Sequence, residues 1–363
     1  MRERSADGNG QHQHRDAGAG DETVRRRADE FHDEQPDDRH GAAAVGDEVD
    51  TTEQLAEPRR HHRAQPEDQR DQRRESDDDH LLIIIGALHE PSTAALDAIA
   101  ARAIAAADDA TSATTVLFLL RHYLASGADE ARDALGIALA HALERAADEP
   151  GIVERAAWLT LFVEATAIAE DDRIVDAAQA LAASLSNAWP AADGLRDGLA
   201  SVDACLHAST VIVSADLVPA AVDELERIVG DAYRPGSGLI VRGSARAGIA
   251  DHVRAASTLL TAFEYTGRLP YSMLAEELMQ IARGEVASEA DFVTCCEAAR
   301  ALCRLAALHD AAEYRAAAII ASDADYRRDA ARLLEIQASH VDAVALAHAA
   351  LYGVALRELL SLR

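Results

Sequence analysis

Lysine is absent: all 35 basic side chains of this 363-residue chain are arginines, set against 63 acidic ones, for a formal net charge of −28. A surface this acidic does not neutralise phosphates, which argues against nucleic acid as a partner. It is also repelled by an anionic membrane surface. Aromatic residues are few, with 5 Phe, 2 Trp and 7 Tyr, so rings on which a pyranose face could stack are scarce. There are four cysteines, Cys205, Cys295, Cys296 and Cys303, and no Cys-x-x-Cys. That excludes a disulfide framework, a zinc ribbon and a thioredoxin-type redox pair. Long apolar runs are missing too. The stretch from Leu81 to Leu88 is too short to span a bilayer, and Met1 to Asp7 has no apolar core of a secretory signal. A cytoplasmic protein is the expectation. No Gly-x-Gly-x-x-Gly, P-loop or nucleophile elbow occurs, so no cofactor is implied. The runs Asp77-Asp78-Asp79 and Asp171-Asp172 lack the pattern of a calcium loop, so no metal is expected.

What is present changes character at about residue 80. Residues 1–80 hold 13 Arg, 23 Asp/Glu and a single aromatic, Phe31, and show no apolar periodicity. Such a segment buries too little surface to offset the entropy of ordering it, and the composition predicts a disordered acidic, His-rich tail. Residues 81–363 are the folded part. Apolar residues recur there at helical spacing, interrupted by Pro and Gly. The spacing predicts about twelve helices, near 92–107, 112–126, 129–147, 152–168, 171–187, 199–213, 216–231, 250–266, 269–284, 288–308, 311–336 and 339–360. The eleventh is expected to break near Ser322-Asp323. Ser288-Glu289-Ala290-Asp291 and Ser339-His340-Val341-Asp342 read as capping boxes that start two of them.

The helices repeat in pairs joined by tight turns, at Gly127-Ala128, Glu170-Asp171, Ser214-Ala215, Gly267-Arg268 and His309-Asp310. Aligning Ile174, Val218, Tyr271 and Tyr314 gives a period of roughly 43 to 53 residues, which is the signature of stacked helical hairpins. Six hairpins bury themselves either as an open α-solenoid or as a closed (α/α)6 toroid with six inner and six outer helices. The number six, and the lack of a polar capping repeat at either end, favour the all-α toroid. The first and last helices would then be neighbours. The two long connections, 188–198 and 232–249, lie at the end where the inner helices begin. Partial positive charge at those helix starts suits an anion or a polarised oxygen there.

The stretch Leu259-Leu260-x-Ala262-Phe263-Glu264-x-Thr266-Gly267-x-x-x-Tyr271, preceded by Asp251-His252, resembles the repeats of six-hairpin toroids. These include N-acylglucosamine 2-epimerase-like proteins and six-hairpin glycosidases. It is most similar to the helical region that follows the thioredoxin-like module in relatives of spermatogenesis-associated protein 20. The resemblance spans about residues 110–360. It implies a toroid related to carbohydrate-active proteins, with a separate thioredoxin-like chain as a partner, because no such module is present here. The motif encodes a hairpin rather than chemistry, and a fold does not carry a function.

Sugar-processing toroids work by general acid–base chemistry at the mouth. Among the acidic and histidine residues at inner-helix starts, two pairs stand out as catalytic candidates: Asp203 with His207, four residues apart on one helical face, and the adjacent Asp251 and His252. The alternative for Asp251 is a helix-capping acid. Trp189 and Tyr233 are the candidate rings for substrate binding. Arg234, Arg242 and Arg246, close together in the insertion 233–248, are candidate anion ligands, against the alternative of an ordinary solvated loop. Leu239-Ile240-Val241 after a Pro-Gly-Ser-Gly turn predicts a short hairpin arm there. The paucity of aromatics and of an unambiguous acid–base pair makes a non-catalytic binding or scaffold module for a small anionic or sugar-like ligand the leading expectation. A sugar isomerase or glycoside hydrolase is the alternative.

Overall fold

The computed structural model describes residues 92–109, 112–148, 151–189, 194–241, 245–317 and 324–362. The acidic stretch 1–80, Arg242 and the expected break at Ser322-Asp323 lie outside the described residues.

Helices alternate between two environments. One set is buried on nearly every side: α2 (Ala113–Ser126), α4 (Ile152–Ala165), α6 (Leu195–Ala208), α8 (Ile249–Thr266), α10 (Phe292–Asp310) and α13 (Leu346–Ser361). The run Val116, Phe118, Leu119 and Leu120 shows why α2 belongs inside, since consecutive apolar residues leave no polar stripe for solvent. The other set is amphipathic: α1 (residues 92–105), α3 (Asp129–Ala146), α5 (Asp172–Ala188), α7 (Leu217–Ala232), α9 (Leu269–Glu289), the short α11 (Ala312–Ala317) and α12 (Tyr326–Ala338). In α7 the buried residues Ala221, Val222, Leu225, Ile228 and Ala232 form one stripe, and in α1 Leu96, Ile99, Ala100 and Ala103 do the same.

Each inner helix packs against the next, α2 on α4, α4 on α6, α6 on α8, α8 on α10 and α10 on α13, and α13 returns to α2. The cycle is closed, which selects the toroid over the open solenoid. Three contacts make the seam. Gly353 of α13 sits against the Phe118 ring of α2, where an added Cβ would lie 2.8 Å from Cδ2. Arg357 donates to His122 Nδ1 at 2.6 Å, and Arg121 pairs with Glu358 at 2.7 Å. Outside the seam, Arg102 of α1 donates to the carbonyls of Val341 and Val344, both at 3.2 Å. The first and last helices are neighbours.

Two turns inside hairpins end in left-handed glycines, Gly127 (φ 64°) and Gly267 (φ 67°), whose amides close onto Tyr123 and Phe263 carbonyls. The two capping boxes expected from the sequence do not form. Ser288 is in the last turn of α9 and donates to the Glu285 carbonyl; α10 instead starts after Asp291, which accepts from the Thr294 amide at 2.8 Å. Ser339 caps the C-terminus of α12, and α13 starts after Ala345. In both places the Ser-x-x-Asp pattern straddles the end of an outer helix.

Between α7 and α8 the chain forms the expected arm. β1 (Tyr233–Arg234) pairs antiparallel with β2 (Gly238–Val241), and β2 with β3 (Ala245–Arg246). Buried Leu239 anchors it. The arm leans on outer helix α9, through Tyr233 to Glu277 at 2.8 Å and Arg246 to Glu285 at 2.9 Å.

Candidate functional site

All six inner helices line a central cavity of about 590 Å³, which is the size class of small-molecule sites. Alanines make room for it: Ala113, Ala156, Ala157, Ala200 and Ala347 face the space. At the end where the inner helices begin it runs into a second hollow of about 420 Å³, with Arg196, Arg254, Glu297 and His348 on the walls of both. Cavity and mouth therefore form one continuous site.

Five arginines and five carboxylates face the cavity body: Arg121, Arg196, Arg254, Arg300 and Arg304 against Glu164, Asp203, Glu264, Glu297 and Glu358. Most of this charge is matched within the protein. Arg121 bridges Glu164 and Glu358, both at 2.7 Å, tying α2 to α4 and α13. Arg300 of α10 holds Glu358 from the other side, at 3.0 Å. Arg304 reaches Glu264 at 3.0 Å and also donates to the Ser257 carbonyl and the Thr261 hydroxyl. Arg254 pairs with Glu297. Burial works to raise the Glu358 carboxyl, but the flanking Arg300 and Arg121 outweigh it and hold it below the ordinary carboxylate range. It stays ionised at neutral pH.

Helix α6 differs. Its residues Arg196, Ala200, Asp203 and His207 follow i, i+4, i+7, i+11 spacing and all face the cavity. Arg196 is exposed at the mouth and has no ion pair among the described residues. Asp203 lies two turns deeper, and its Oδ1 is buried without a hydrogen-bond partner. His207 joins its Nδ1 to the Tyr265 hydroxyl at 2.9 Å, the rings meeting edge-on at 87°. Burial, then the charges of Glu264 and Asp203, raise the Tyr265 hydroxyl above its usual range. It keeps its proton and is able to donate to His207 Nδ1, which leaves the imidazole Nε2 without a partner among the described residues.

Of the residues singled out in the sequence, the structure thus brings Asp203 and His207 to the cavity wall. Asp251 and His252 do not line it. Consecutive helix positions point about 100° apart. Asp251 therefore turns back to accept from the Gly248 amide at 3.2 Å, while His252 is buried, bonding the Gly248 carbonyl through Nδ1 at 2.9 Å and accepting the Leu239 amide at Nε2 at 3.1 Å. Trp189 is packed in the core, its indole donating to the Ser201 hydroxyl at 2.8 Å. Tyr233 faces α9, where burial and Glu277 push its hydroxyl up to about 12. Arg234 bonds the Tyr233 carbonyl and Arg246 pairs with Glu285, so neither reaches the cavity. Sequence reasoning passed over Arg196. The stripe it forms with Asp203 and His207, on a helix whose one other charged residue is Asp197, was the available signal.

Among the described residues no three His, Cys, Asp or Glu side chains gather as a metal site, and no helix is long and apolar enough to cross a membrane. The four cysteines are buried, and burial raises their thiols, Cys205 and Cys303 to about 12. Cys296, Ala299 and Cys303 form a buried stripe on α10, and Cys205 is buried in α6, where each packs as a small apolar residue.

No family model matches the sequence, and no curated protein does. The fold does have solved neighbours. The chain is similar to the α-1,6-mannanase GH76A of Salegentibacter sp. HEL1_6, with a TM-score of 0.51 and 11% identity over 69% of this chain and 88% of the mannanase. An inactive variant of that enzyme, substituted at two consecutive aspartates and bound to α-1,6-mannotriose, matches equally, with a TM-score of 0.51 and 11% identity over 69% and 88% of the two chains. At this identity the likeness establishes the all-α (α/α)6 toroid fold and no more. Among the residues lining the cavity and its mouth, no two consecutive aspartates occur.

Proposed function

We propose that this toroid is a non-catalytic binding module whose central cavity takes a short saccharide or a small sugar-like acid. The observation that carries the proposal is the pairing of the cavity charges. Glycoside hydrolysis needs one carboxyl kept protonated as general acid and a second free to act as base or nucleophile. Here Glu164, Glu264, Glu297 and Glu358 are each held by an arginine, and Glu358 is held ionised. That leaves Asp203 as the one carboxylate of the cavity body without a cationic partner among the described residues. A wall of fixed, alternating donors and acceptors is well suited to the hydroxyls of a sugar, and the saccharide-bound neighbour of the same fold supports that ligand class. The volume of about 590 Å³ suits a mono- or disaccharide better than a polymer, in keeping with the absence of Trp and Tyr among the lining residues.

A catalytic reading has one observation in its favour: Asp203 and His207 share a helical face on the cavity wall and are free of arginine partners. In that reading they act as an acid–base pair of a sugar isomerase or hydrolase. The resemblance to the helical region of thioredoxin-domain proteins would add a separate thioredoxin-like chain as partner; the ligand proposal does not depend on it.

Calorimetric titration of the full chain with mannose, mannotriose and sugar acids, run beside an assay for released reducing ends and for epimerised product, separates the readings. Binding without turnover is expected. Turnover that disappears in both Asp203→Ala and His207→Ala would replace the binding reading with the catalytic one.

A further inference from the structure

The cavity of this toroid is close to neutral inside a chain of charge −28, and its uncompensated charges are confined to one helix. Once the ion pairs are accounted for, Arg196 and Asp203 remain on the same face of α6, seven residues apart. At about 1.5 Å rise per residue their Cα atoms are separated by roughly 10 Å along the axis. Arg196 lines the mouth together with His348 and Arg254, and Asp203 lines the cavity body together with Ser257 and Thr261 of α8. The cation is thus exposed where the ligand enters and the anion is sunk where it ends. Facing the mouth are also the acids Asp291 and Glu297, but Asp291 is occupied capping α10 and Glu297 by Arg254.

We propose that the ligand is a phosphorylated or carboxylated monosaccharide, held by its anionic group on Arg196 and by its hydroxyls on Asp203. The inference rests on the cavity being a sugar site and adds the charge of the sugar and its direction. An arginine fork binds a phosphate or carboxylate through two parallel N–H donors. Asp203, a carboxylate that lines the cavity without a cationic partner among the described residues, suits the hydroxyl end of the same molecule. Reversing the ligand would put anion against anion at Asp203 and leave Arg196 without its counter-charge, so the polarity of α6 also sets the orientation. The negative potential of the whole chain opposes approach of the anion at long range; salt screens that repulsion more than it weakens the short contacts at the site.

The test is calorimetry on the full chain with mannose 6-phosphate, mannose and inorganic phosphate, for the wild type, Arg196→Ala and Asp203→Ala, each checked for helicity by circular dichroism. The wild type is expected to bind the sugar phosphate at least tenfold tighter than either mannose or phosphate. Arg196→Ala should lower the affinity for mannose 6-phosphate to that for mannose and leave mannose unchanged. Asp203→Ala should weaken both sugars. If mannose and mannose 6-phosphate bind equally and Arg196→Ala changes neither, the anionic-ligand proposal fails while the sugar-site reading stands. Inorganic phosphate binding as tightly as the sugar phosphate would overturn the sugar half and leave a bare anion site. If no sugar, mannotriose included, binds, both readings fail.

Discussion

Two walls of one cavity use the same residue types to opposite ends. On the side formed by α2, α4, α10 and α13, Arg121, Arg300, Glu164 and Glu358 are interlocked, each charge answered by another from a different helix. On the α6 side, Arg196 and Asp203 are unanswered. The first arrangement joins parts of the chain 237 residues apart and closes the ring. The second leaves an exposed guanidinium at the mouth and a carboxylate whose buried Oδ1 has no donor, and neither contributes an ion pair to the fold among the described residues. Charge at a cavity is therefore no pointer to a binding site in itself; charge without a partner is.

The sharpest way to break the comparison is to open the paired wall. Arg121→Ala removes the bridge and strands Glu164, at 24% side-chain exposure, while Glu358 keeps Arg300 alone. It should cost about 3 kcal/mol, or roughly 6–12 °C in melting temperature for a domain of this size. The same wall sets an acid limit. Because Glu358 is held below its unfolded range, its contribution is complete above the ordinary carboxylate pKa of about 4.3 and is lost as pH falls through the lower folded value. Melting temperature should fall as pH drops from about 5 to 3, and the fall should be shallower in Glu358→Gln, which starts lower at neutral pH.

A second contrast sets two histidines against each other. His252 uses both ring nitrogens to hold the arm to α8, whereas His207 leaves Nε2 without a partner among the described residues. His252→Ala should cost about 2–3 kcal/mol, since it leaves the buried Leu239 amide unsatisfied, and should leave ligand binding intact. His207→Ala should show the reverse balance. A smaller effect marks the seam of the ring. Gly353→Ala drives a methyl into the Phe118 ring and should cost about 1–3 kcal/mol. Gly284→Ala, in the interior of α9 with open space around its Cβ position, should stabilise by roughly 0.5–1 kcal/mol. Thermal melts of the pair, measured side by side, test whether the seam is as tight as the geometry has it.

Much of the architecture was legible because it is local. The left-handed glycines at 127 and 267, the apolar stripe of α7 and the arm around Leu239 follow from short stretches of sequence. The count of six hairpins then implied closure. Helix starts were misread where Ser288 and Ser339 finish one helix instead of opening the next; a Ser three residues before an Asp is the same pattern in either case. The pairing of cavity charges was illegible, because Arg121 and Glu358 meet only when the ring closes, and Arg300 and Glu358 only when α13 packs on α10. Adjacent Asp251 and His252 looked like a chemical pair in one dimension, and the 100° step between helix positions separates them.

In the proposed role, Asp203 is a carboxylate kept for a ligand rather than for the fold. Its Oδ1 is buried without a donor, and a buried unpaired acceptor costs about 1–3 kcal/mol. Asp203→Ala removes that cost and places a better helix former inside α6. Differential scanning of the ligand-free full chain should therefore show Asp203→Ala melting at or above the wild-type temperature, with sugar binding weakened in the same preparation. A variant that melts several degrees lower, or that binds sugar as the wild type does, would contradict the central claim.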